Sequence, residues 1–110
     1  MLRGDLDGTL ERHDAAEAVC RKALTLDPGN AEAMLGLGVA LYHQDKYEDA
    51  VTVFRRVLGL HPDNPRAHFG LGLALLYSGD RDGAIGEVVY LNQHSPELAE
   101  ELHHWIFPDD

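Results

Sequence analysis

Apolar and small residues recur at helical spacing along most of this chain. In AEAMLGLGVALYH, residues 31–43, Met34, Leu37, Gly38 and Leu41 fall three and four apart, the interval that puts side chains on one helical face. The same interval predicts helices over 14–26, 47–60, 65–77, 81–93 and 96–106. Their starts are marked chemically. Asn30 can cap a helix beginning at Ala31, Asn64 one with Pro65 at its first position, and Ser95 one with Pro96 there. Gln44-Asp45-Lys46 and Ser78-Gly79-Asp80 supply polar turns between helices. Upstream of Asp14, Leu2, Leu6 and Leu10 stand four apart and suggest a short separate helix, which Gly4 and Gly8 weaken.

The blocks repeat. Residues 31–64 align without a gap on residues 65–98, a period of thirty-four. Leu37-Gly38 falls on Leu71-Gly72, Ala40 on Ala74, Ala50 on Ala84 and Pro62 on Pro96. One period earlier, Ala16 falls on Ala50, Leu26 on Leu60, Pro28 on Pro62 and Asn30 on Asn64. The copies read Met34-x2-Leu37-Gly38-x2-Leu41, Ala50-x3-Phe54, Pro62, and then His68-x2-Leu71-Gly72-x2-Leu75, Ala84-x3-Val88, Pro96. This resembles the tetratricopeptide repeat, W-x2-L-G-x2-Y, A-x3-F, P, with Met34 and His68 in place of the Trp.

The resemblance implies an all-α, right-handed α-solenoid of antiparallel helix pairs. A single domain, 1–110, would comprise a partial repeat over 1–30, full repeats over 31–64 and 65–98, and a capping helix with its tail over 96–110. Gly38 and Gly72 are expected where paired helices come close. A glycine inside a helix costs about 1 kcal/mol relative to Ala, so close packing must recover that cost. Leu98, Leu102, Trp105 and Ile106 suit a cap covering the last apolar face.

In this family the first helices of successive repeats line a concave groove that holds a peptide or a partner's helix. With Met34, Leu37, Gly38 and Leu41 in the seam, the groove side of helix 31–43 carries Leu35, Val39 and Tyr42, with His43 at its edge. In helix 65–77 the equivalents are Phe69, Leu73, Leu76 and Tyr77, with Arg66 at the edge. Repeats that bind the acidic tails of heat-shock chaperones place Lys, Arg and Asn on this face. Leu35, Val39, Phe69 and Leu73 stand there instead, so the expected partner is an apolar or amphipathic protein segment. Self-assembly into a homo-oligomer through the same face, or through an uncovered end helix, is the alternative.

Charge narrows the partners further. Nine Lys and Arg against nineteen Asp and Glu give a formal −10, with no basic run, which disfavours nucleic acid and anionic lipid. No apolar run approaches the ~20 residues of a membrane span, and no signal peptide is visible, so the expected compartment is the cytoplasm.

One stretch resembles chemistry. DLDGTL, residues 5–10, is similar to the nucleophile motif of the haloacid dehalogenase superfamily, which would make Asp5 a phosphoryl acceptor and Asp7 its acid/base. That motif needs a buried β-strand before it, and Met1-Leu2-Arg3-Gly4 is too short and polar to be one. The hexapeptide is expected to end a first helix, and no catalytic residue is assigned. No metal or cofactor is expected either: the single Cys20 aligns with the inward Phe54 and Val88, and the adjacent His103 and His104 point apart. His68 reads as a packed histidine, and Glu48-Asp49 and Arg55-Arg56 as solvated surface.

Overall fold

A computed structural model describes the backbone of residues 3–109 and the side chains of residues 12–109. The described residues form six helices: α1 (Arg3–Leu26), α2 (Ala31–His43), α3 (Tyr47–Leu60), α4 (Pro65–Ser78), α5 (Arg81–His94) and α6 (Pro96–Ile106). Among the described residues there is no strand, and the fold is an all-α helical repeat solenoid.

The caps explain most boundaries. The Asn30 side chain accepts a hydrogen bond from the Ala33 backbone amide at 3.0 Å, and Asn64 accepts from Arg66 and Ala67 at 3.0 and 3.1 Å. Asp80 caps α5 by accepting from Gly83 at 2.8 Å. Ser95 departs from expectation and makes no side-chain cap bond. It is the sole residue between α5 and α6, with φ −150° and ψ 78°, and its backbone amide closes the last turn of α5, donating to Leu91 at 2.7 Å. The turns within the pairs are also homologous. Asp45 (φ 65°) and Gly79 (φ 104°) both take the left-handed conformation that ends the preceding helix.

At the N-terminus the separate short helix is not found. The backbone is one helix from Arg3 to Leu26, and DLDGTL lies inside its first half, neither ending a helix nor following a strand. The linking run Leu10-Glu11-Arg12-His13 holds no Gly or Pro to stop a helix, and glycine alone costs too little to break one. The side chains of Asp5 and Asp7 lie outside the described residues.

Each helix packs on the next, giving two layers. The even-numbered helices also touch one another, α2 with α4 and α4 with α6, whereas among the described residues the odd-numbered helices do not come together. The solenoid is therefore concave on the even-numbered side. Phe54 of α3, only 1% exposed, sets the spacing between layers. A Cβ on Gly38 would lie 2.8 Å from its ring, and one on Gly70 of α4 only 2.5 Å. Cys20 repeats this wedge against Gly36, at 2.8 Å, and burial pushes its thiol pKa up. At the other end the sizes are exchanged. Val88 replaces Phe54 in register, and Leu102 of α6 supplies the bulk, its Cδ2 lying 2.5 Å from where a Cβ on Gly72 would stand. Gly72 thus clears room for α6 first and for α5 second, the nearest α5 atom being the Cβ of Glu87 at 3.3 Å.

Gly72→Leu should drive a side chain into Leu102 and cost about 3 kcal/mol, lowering the melting temperature by ~10 °C or more. Gly86 also lies inside a helix but faces open space, so Gly86→Ala should raise the melting temperature, worth about 0.5–1 kcal/mol. Calorimetry of the two variants checks both signs.

Candidate protein-binding groove

On the concave side α2, α4 and α6 enclose an open cavity of about 390 Å³. Its floor is made by Leu35, 3% exposed, with Gly70 and the edge of Phe54. Val39, Tyr42 and His43 of α2 form one wall, Phe69 and Leu73 of α4 the middle, and Leu98, Glu101 and Trp105 of α6 the other wall. Arg66 stands at the rim, 3.7 Å from the Glu32 carboxylate. Val39 is 45% exposed and Trp105 48%, so apolar surface lies open within the concavity.

Seven of the nine residues expected to line a groove surround this one cavity: Leu35, Val39, Tyr42, His43, Arg66, Phe69 and Leu73. Tyr77 is displaced to a second, smaller hollow beside it, and Leu76 lines neither. Leu73 and Tyr77 are four apart and share a face, while Leu76 is turned about 100° from Tyr77 and packs against the core. The contribution of α6 was not foreseen. Leu102 and Ile106 are buried as a cap requires, but Leu98 and Trp105 face the cavity, so α6 is a third wall as well as a cover.

An aromatic row closes the end of the cavity where α2, α4 and α6 terminate. Tyr42 meets Tyr77 edge-on at 5.9 Å, and Tyr77 meets Trp105 edge-on at 6.4 Å. Tyr47, at the start of α3, stacks on Tyr77 at 5.5 Å and donates a hydrogen bond to Asp45 at 2.8 Å. Burial, then the neighbouring Tyr77 and Tyr47, pushes the Tyr42 phenol pKa up to about 12. Tyr47 is raised chiefly by its bond to Asp45. Both rings stay neutral near pH 7.

The row continues through His43, edge-on to Tyr42 at 5.2 Å, to His13 of α1, stacked on His43 at 4.4 Å. Gln44 fastens this corner by donating to the Glu17 carboxylate at 2.8 Å and to the Ala40 carbonyl at 3.1 Å. With Arg21 also bonded to it, Glu17 is held below the usual carboxylate range. On the opposite side of α4, His68 is packed: Nδ1 lies 2.7 Å from Glu87, Nε2 lies 2.8 Å from the Pro62 carbonyl, and the ring stacks on Tyr90 at 3.8 Å. Among the described residues no three His, Cys, Asp or Glu gather as metal ligands, and no helix is long and apolar enough to cross a membrane. Glu48 and Asp49 are exposed but line the second hollow with Tyr77.

His43 is exposed at the cavity edge, yet partial desolvation of its ring, and next its electrostatic interaction with His13, lower its pKa. A lowered folded-state value favours the neutral ring, so the stability it contributes is complete above pH ~6.5 and declines as pH falls through the folded value. The His43 ring-proton NMR titration should have its midpoint below 6.5, and His13→Asn should raise it only partway because the partial desolvation remains. A midpoint at or above 6.5 in the wild type would contradict this assignment.

The comparisons agree with this architecture. A family model described as tetratricopeptide repeat matches residues 1–65 and again residues 42–91, so the matches run from the first residue through most of α5. No curated protein matches the chain. Repeats of this family generally mediate protein–protein interaction and are typically non-catalytic scaffolds. With most of its length matched and its helices paired in the expected register, the chain belongs to the tetratricopeptide repeat family.

Proposed function

We propose that this protein is a non-catalytic interaction module that holds a segment of a partner protein, apolar or amphipathic, in the concave cavity between α2, α4 and α6. One observation carries the reading: three successive inner helices leave Val39, Phe69, Leu73 and Trp105 around an open cavity of about 390 Å³ instead of packing it shut. Such a concavity, apolar with a few polar groups at its rim, suits a helix or extended segment that presents apolar side chains at regular spacing. Leu35 and Phe69 would meet the partner at the floor and centre, with His43 and Arg66 at the edge.

Leu73 separates binding from folding because it is only partly buried and lies at the middle of the cavity. Leu73→Glu should keep the melting temperature within about 5 °C of wild type. It should weaken binding of peptides selected against the wild type at least about tenfold. Trp105, the single tryptophan, sits on the cavity wall, so its fluorescence reports binding directly. A melting temperature that falls as far as that of Gly72→Leu would remove Leu73 from the groove and place it in the structural core.

A second reading, self-association, is favoured by α1. In α3 the flank Ala50 and Val53 is covered, at 0% and 8% exposure, whereas their counterparts one period earlier, Ala16 and Val19, are exposed, Val19 at 67%. A second copy laid along this flank would bury it. Sedimentation velocity over about a hundredfold concentration range decides: a dimer abolished by Val19→Glu supports it, and a monomer throughout overturns it.

A further inference from the structure

The charges around the groove are unevenly satisfied. Each rim cation already has a carboxylate: Arg66 is 3.7 Å from Glu32, and Lys46 is 3.6 Å from Glu17 on the α1 side. The rim carboxylates are not so matched, for Glu101, Glu48 and Asp49 form no ion pair among the described residues. The imbalance is concentrated at the aromatic end. There a hollow of about 370 Å³, walled by Tyr47 and Tyr77, is edged by Asp45, Glu48 and Asp49, with Lys46, already 3.6 Å from Glu17, and Ser78 completing its rim, so three carboxylates stand against one paired cation. Tyr42, which lines the main cavity, lies 5.7 Å from Tyr47 and 5.9 Å from Tyr77, so the two spaces adjoin across one layer of rings.

That combination suits a cation delivered by the same segment that fills the apolar cavity. Exposed aromatic faces attract Lys and Arg through the ring quadrupole, and nearby carboxylates add attraction that water alone would weaken. Tyr77 is 43% exposed and Trp105 48%, so ring surface is available at this end. The Tyr47 hydroxyl bond holds Asp45 beside the rings. The formal charge of −10 steers a basic segment toward the protein and repels an acidic one.

We propose that the segment taken by this groove is apolar through its middle and basic at one end, with a Lys or Arg side chain seated against Tyr47 and Tyr77 among the carboxylates of Asp45, Glu48 and Asp49. This rests on the groove reading and adds the partner's charge and orientation. The apolar side chains enter between α2, α4 and α6, and the basic end lies where those helices terminate. An acidic segment would meet three carboxylates there against a single lysine, Lys46, that Glu17 already engages.

The test is selection of a random dodecapeptide display library on the wild type and on the triple variant Asp45→Asn, Glu48→Gln, Asp49→Asn. Asn also tolerates the left-handed conformation at position 45, and an unchanged melting curve verifies that the variant folds. The wild-type pool should pair apolar residues with Lys or Arg to one side, and its binders should weaken about fivefold or more on the triple variant. Raising salt from about 0.05 M to about 0.5 M should weaken them likewise. The pool selected on the triple variant should keep the apolar residues and lose the basic preference. A wild-type pool without basic enrichment, or one rich in Asp and Glu, overturns the charge assignment and leaves the apolar groove standing. A pool that binds Leu73→Glu as well as wild type, or no selectable binder at all, overturns the groove reading and this inference with it.

Discussion

The ring of Phe54 stands where α2, α3 and α4 converge, and the inner and outer layers take their separation from it. Gly38 and Gly70 give it room from both inner helices, each so close that an added Cβ would overlap the ring. Glycine inside a helix costs about 1 kcal/mol, and here two such costs allow one aromatic side chain to be buried at 1% exposure. The same ring edges the cavity floor, so the contact that spaces the helices also shapes the surface they present. Cys20 against Gly36 is a smaller version of the wedge, while Leu102 against Gly72 fills the corresponding space from the opposite helix.

That spacing brings the inner helices alongside one another yet leaves side chains too few or too small to fill the concave side. Val39, Tyr77 and Trp105 remain about half exposed although better-packed positions exist throughout the core. Because the cavity is held by packed helices rather than loops, its walls would be ordered before the proposed partner arrived, which would reduce the ordering entropy that binding must overcome. The aromatic row strengthens this. Rings from α2, α3, α4 and α6 lean on one another across four separate elements, so a displacement of one is felt by the rest.

Much of this was legible in the residues, for identifiable reasons. Helices α2 to α6 announce themselves because Asn30, Asn64 and the prolines mark starts and polar turns mark ends, and the observed bounds differ from expectation by at most one residue at Ser78 and His94. The inner face of α2 and much of α4 followed from the seam at Leu37-Gly38 and Leu71-Gly72. The wall formed by α6 was hidden because the period fails there. Four residues, His61–Asn64, join α3 to α4, but Ser95 alone joins α5 to α6, so counting forward by thirty-four misplaces every α6 side chain. Pairing Ala99 with the buried Ala67 would have restored the register and pointed to Leu98 and Trp105. Continuity of α1 was missed because two glycines suggested a break that no proline or turn enforced. Tyr47 and His13 were invisible to any reading of single helices, since their contacts cross between elements distant in sequence.

The central claim is that the surface between α2, α4 and α6 receives the partner. Intermolecular NOEs from a selected, isotope-labelled peptide locate it most directly. Contacts are expected from the peptide to the side chains of Val39, Phe69, Leu73 and Trp105, with its basic residue near the Tyr47 and Tyr77 rings. Contacts instead to Val89 and Tyr90 on α5, away from that cavity, would contradict it.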